Sequence, residues 1–99
     1  MRHVVFSDES LSDLEAIWDF LAGESDQAAS RVVTALIESS LGLAQFPFAH
    51  PRLQSIPAPD IRRAVLRQWV ILYQVEDDHV TVLRIVYGGR DIEALVLPR

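Results

Sequence analysis

The hydrophobic period of this chain changes once, and that change decides what it can fold into. Leu11, Leu14, Ile17, Trp18 and Leu21 recur at helical spacing. A second helical stripe follows in Ala29, Val32, Val33, Leu36, Ile37, Ser40, Leu41 and Ala44. Beyond residue 60 the pattern becomes β-branched runs: Ile61 to Leu66, Trp69 to Val75 and Val80 to Tyr87. Pro47, Pro51, Pro57 and Pro59 separate the two halves as an extended loop. Helices gathered in one half and strands in the other define an α+β domain.

Local signals set the boundaries. His3 to Phe6 reads as a short strand. Ser7-Asp8-Glu9-Ser10 supplies a helix cap and early acidic charge, and Gly23 is a stop. Ser25-Asp26 caps the next helix, which should run to about residue 45, where Phe46-Pro47 ends it. The short link between the helices makes them an antiparallel hairpin. Glu76-Asp77-Asp78-His79 is a polar turn between the last two strands. The predicted order is β-α-α-β-β-β, with an N-terminal strand and a helix hairpin packed on an antiparallel sheet. One domain over 1–99 is expected, with 90–99 as a C-terminal tail.

Strict alternation would put Thr81, Leu83, Ile85 and Tyr87 on one face of the last strand and Val80, Val82, Arg84 and Val86 on the other. Both faces are then largely apolar, and two helices cover only one. The favoured cover for the second face is another protein; a folded-back tail is the alternative. Phe46 and Phe48 are expected to pin the proline-rich loop to the core, with Trp18 and Trp69 also inside.

Charge and composition exclude several classes. Fourteen acidic residues oppose nine basic ones, a net charge of −5, and every basic residue is arginine. The chain as a whole is therefore a poor phosphate binder, and lysine chemistry is ruled out. Cysteine is absent, so there are no disulfides, thiolate metal sites or Cys nucleophile. His3, His50 and His79 lack paired spacing, so no metal and no cofactor is expected. No run of about 20 apolar residues or secretory leader stands out, which makes the cytoplasm the expected compartment.

The candidate functional residues lie late in the chain. Arg62 and Arg63 point to opposite faces of a strand. Arg84 interrupts an apolar strand, as an anion clamp or as an ion pair with Asp13, Glu15 or Asp60. Tyr87 sits at a strand end, and Arg90-Asp91 opens the tail. Phe20 falls off the main helical stripe and is a candidate for a second, partner-facing patch.

Leu11-Ser12-Asp13-Leu14-Glu15-Ala16-Ile17-Trp18-Asp19-Phe20 resembles the first helix of RelE/ParE-type toxins of bacterial toxin–antitoxin modules. Phe46-Pro47, Arg62-Arg63, the run Trp69 to Asp78 and the run Val82 to Asp91 resemble the same family in the same order. The resemblance spans nearly the whole chain and favours the ParE branch. It implies a ParD-like antitoxin whose arm folds along the toxin and whose DNA-binding half represses the operon. It also implies DNA gyrase as the target, trapped on cleaved DNA, with no catalytic residues in the toxin and DNA met only through antitoxin or gyrase. The expected target contacts are Arg84, Tyr87, Arg90, Asp91, Leu95 and Val96. The expected antitoxin contacts are Phe20, Arg62, Arg63 and Val82. Many ParE-type chains carry histidine where this one has Tyr87. The alternatives are a RelE-like ribosome-dependent messenger RNA endonuclease and an inactive toxin-fold binding module.

Overall fold

The structure is a computed structural model that describes residues 2–89 and 91–96. Its elements are β1 (His3–Phe6), α1 (Asp8–Ala22), α2 (Asp26–Gly42), β2 (Ile61–Leu66), β3 (Trp69–Val75) and β4 (His79–Tyr87). A 3₁₀ turn, Glu93–Leu95, closes the described chain. The Ser7 hydroxyl accepts from Ser10 N–H and the Ser25 hydroxyl from Ala28 N–H, the two expected caps. The second helix stops earlier than its apolar stripe implies. Leu43, Ala44 and Gln45 bond three residues back, to Ser40, Leu41 and Gly42, which tightens the chain out of α geometry.

The four strands lie in the order β1-β4-β3-β2. The β2–β3 and β3–β4 pairs are antiparallel, as the meander requires. β1 pairs parallel to β4, with Val4 opposite Val80, so the sheet is mixed rather than wholly antiparallel. A parallel partner needs a long crossover, and the helix hairpin plus β2 and β3 provides one. Ser7 fastens the crossover at its start: its N–H donates to Val82 O at 3.0 Å and its hydroxyl to Leu83 O at 2.8 Å.

Strict alternation fails in β4. Leu72 faces Arg84 and Tyr73 faces Val82, so Leu83 is an extra residue, a β-bulge. The parity of the strand flips there. Val80, Val82 and Ile85 all join the helix-side core with Leu14, Ile17, Leu36, Ile71 and Tyr73. Val86 turns to the opposite face.

The proline-rich loop and the tail cover much of that opposite face, as the folded-back alternative in part expects. Leu53 and Ile56 from the proline-rich loop and Ile92 from the tail bury Ile61, Val70, Leu72 and Val86. Between turns at 47–49 and 54–55, the loop runs beside β2: Leu53 N–H donates to Ile61 O at 2.9 Å and Arg63 N–H to Pro51 O at 3.1 Å. Phe46 and Phe48 are exposed; buried Pro47 makes the anchor instead. The Tyr73 hydroxyl donates to Pro47 O at 2.8 Å, and burial pushes its pKa up to about 12. Trp18 and Leu11 also lie outside the core, so the stripe that α1 buries is narrower than its apolar residues suggest.

Candidate functional site

The bulge determines what Arg84 can do. Its Nε donates to Asp13 Oδ2 at 2.7 Å and its Nη2 to Asp13 Oδ1 at 3.0 Å. Ile85 N–H donates to the same Oδ2 at 2.9 Å. The Asp13 carboxylate thus fastens α1 to the bulged part of β4. The hydrogen bond from Asp13 raises the guanidinium pKa above its ordinary value, while burial opposes it. Of the pairings open to Arg84 in the sequence, the fold uses Asp13 and commits the cation.

Arg62 is committed as well. It grips Asp60 through Nε–Oδ1 at 3.0 Å and Nη2–Oδ2 at 3.3 Å. Its Nη1 donates to His50 O at 2.8 Å and Phe48 O at 3.3 Å, and its guanidinium lies 5.1 Å from the Phe48 ring centre. Arg62 is therefore a staple for the loop, not a free partner contact. Val82 has no exposed surface and offers a partner nothing to touch.

The other candidates remain accessible. Phe20 is 76% exposed and Tyr87 55%. The sequence assigns them to different partners, but the structure puts both on one shallow groove with Asp13, Ala16 and Trp69. Trp69 holds Tyr87 edge-on, ring centres 5.9 Å apart at 86°. Arg63 is exposed on β2 and shares a second groove with Val65, Arg67, Tyr87 and Ile92. Tyr87 therefore stands between an aromatic groove and a cationic one. Asp91 is exposed, and Leu95 and Val96 are half-buried against the loop-side core. Ser55 donates to the Glu93 carboxylate, which ties the tail to the loop. Arg90 lies outside the described residues.

Arg67, which the sequence groups with Arg62 and Arg63 on the first meander strand, lies instead past the end of β2, at the β2–β3 turn, with a φ of 56°. A cluster at the far end of the sheet went unread in the sequence. His79 Nδ1 lies 2.7 Å from Asp78 Oδ1, its Nε2 lies 2.8 Å from Glu76 Oε2, and its ring stacks on His3 at 5.5 Å. The hydrogen bond with Asp78 raises the His79 pKa, and the same contact lowers that of Asp78. Among the described residues no group of three or more His, Asp or Glu is placed to hold a metal ion. Among them, too, no helix is long and apolar enough to cross a membrane.

A mixed four-stranded sheet with a helix hairpin on one face is the fold of RelE/ParE toxins, and known proteins agree. A chain of the solved structure of the chromosomal ParDE TA system from P. aeruginosa is similar at a TM-score of 0.76, with 21% identity over 88% of this chain and 96% of that one. The toxin–antitoxin complex RelBE2 of Mycobacterium tuberculosis has a chain similar at a TM-score of 0.67, with 20% identity over 87% of this chain and 96% of that one. The protein named Toxin RelE2 of Caulobacter vibrioides is 32% identical over 91% of this chain and 99% of its own length. The family model described as "ParE toxin of type II toxin-antitoxin system, parDE" matches residues 4–92, so the chain belongs to that toxin family.

Proposed function

We propose that this toxin acts by binding DNA gyrase and trapping its cleaved-DNA complex, without chemistry of its own, and that a ParD-like antitoxin neutralises it. The carrying observation is the commitment of Arg84 to Asp13 and of Arg62 to Asp60. A nuclease needs cations on the scissile phosphate together with a general base and acid. The two arginines best placed in sequence to serve Tyr87 are neutralised inside the fold, which favours a binding toxin. The match to a ParE model points the same way. In this reading Tyr87, Phe20, Asp91, Leu95 and Val96 offer contact surface, and Arg63 meets an antitoxin carboxylate.

A RelE-like endoribonuclease is the second reading, favoured by the name of the 32% identical relative and by Arg63, which lies beside Tyr87 and has no ion pair among the described residues. One paired experiment separates them. Purified toxin with gyrase and supercoiled plasmid should accumulate linear, protein-linked DNA that antitoxin suppresses. Intact plasmid topology, together with messenger RNA cut on translating ribosomes, would replace the first reading with the second.

A further inference from the structure

Leu66 pairs with Trp69, so Arg67 and Gln68 alone turn the chain between β2 and β3. Two-residue hairpins of this kind demand positive φ at their first position and normally place Gly, Asn or Asp there. Here an arginine holds a φ of 56°, the one positive φ among the described residues. A residue with a Cβ is disfavoured in that region, and such backbone outliers cluster at active sites and ligand clamps. The turn is exposed, so packing does not demand the arginine.

The Arg67 side chain has no internal use either. Among the described residues the ion pairs of Arg52, Arg62 and Arg84 take Asp60 and Asp13, and none reaches Arg67 or Arg31. Arg31, exposed on α2, shares with Arg67 a cleft of about 460 Å³ between α2 and the hairpin. Val32, Leu66 and Trp69 give that cleft apolar walls. Two uncommitted guanidiniums over an apolar floor, on a chain of net charge −5, form a local inversion of the protein's charge. A bare polyanion would be repelled by the surrounding field and would leave the apolar walls unused. A peptide with carboxylates beside an apolar side chain satisfies both parts.

We infer that the cleft between α2 and the β2–β3 hairpin binds an acidic peptide segment of a partner protein. Its carboxylates pair with Arg31 and Arg67, and its apolar side chain rests on Val32, Leu66 and Trp69. The inference does not depend on gyrase being the target, because peptide binding is measured without gyrase. The test is a random dodecapeptide library selected on the full chain, followed by affinities for Arg67→Gly, Arg31→Ala and the control Arg2→Ala, whose guanidinium donates to Glu76 O at the far end of the sheet. Selected peptides should carry Asp or Glu next to an apolar residue. They should weaken about tenfold or more on Arg67→Gly and on Arg31→Ala, and about twofold or less on Arg2→Ala. Arg67→Gly should meanwhile raise the melting temperature by about 4 °C, because the turn is relieved of its Cβ. Peptides without acidic bias, or affinities indifferent to Arg67→Gly, would overturn the inference. So would a duplex oligonucleotide that binds through both arginines and displaces no peptide. A lower melting temperature for Arg67→Gly would show the guanidinium to be structural and would overturn it equally.

Discussion

Arg84 and Arg67 are carried by the same sheet, and the fold treats them in opposite ways. Arg84 lies at a bulge under α1, where the Asp13 carboxylate takes two of its donors and the next backbone N–H. Arg67 lies at an exposed turn in a backbone conformation that disfavours it, and it makes no ion pair among the described residues. The first arginine stabilises the molecule and the second costs it stability. A charge inside an apolar strand is thus a poor guide to function, while a charge held against backbone preference is a better one.

The comparison is most easily broken at Asp13. Asp13→Ala should lower stability by about 2–3 kcal/mol, allowing for partial solvent access, since it leaves Arg84 and an amide unpaired. The melting temperature should fall by about 10–20 °C. Loss of under about 3 °C would mean that Arg84 is not committed to the fold. Arg62→Ala should cost about 1–2 kcal/mol and expose the proline-rich loop to protease, because four contacts to Asp60, Phe48 and His50 vanish together. An uncut loop at wild-type rates would show that Pro47 and Tyr73 anchor it alone.

A smaller effect follows pH. The folded pKa of His79 lies above 6.5, so its contribution is fully present below 6.5 and is lost as pH rises through the folded value. Asp78 is the converse: its folded pKa lies below 3.8, and its contribution fades as pH falls through that lower value. Melting temperature should therefore decline on the alkaline side of 6.5, and His79→Gln should flatten that limb. A His79 imidazole titrating below 6.5 by NMR would reverse the sign. Smallest in stability is Arg63→Ala, with a change within about 0.5 kcal/mol because the side chain is exposed and has no ion pair among the described residues. Neutralisation by antitoxin should weaken all the same. Unchanged neutralisation would remove Arg63 from the antitoxin surface.

Local chemistry made much of this fold legible. Ser7 and Ser25 announce both helices, and the β-branched runs mark the three meander strands almost to the residue. The bulge at Leu83 left no clear sequence trace, because Val80, Val82, Ile85 and Val86 are apolar on either parity. The pairing of Asp13 with Arg84 spans 71 residues, and the sequence offered Glu15 and Asp60 on equal terms. The loop's cover over the second face was missed because prolines mark a loop without saying where it lies. The grouping of Phe20 with Tyr87 belongs to tertiary structure alone, joining the end of a helix to the end of a strand.

The parallel seam between β1 and β4 also has a consequence in time. Ser7 at the start of α1 closes on Leu83 across 76 residues of chain, and β1 has no partner until β4 exists. On a translating ribosome the helix hairpin can coil early, but the first strand stays unpaired until the last strand has emerged. The toxin surface is thus assembled in one late step. A partner present beside the ribosome at that moment meets the finished surface as soon as it forms.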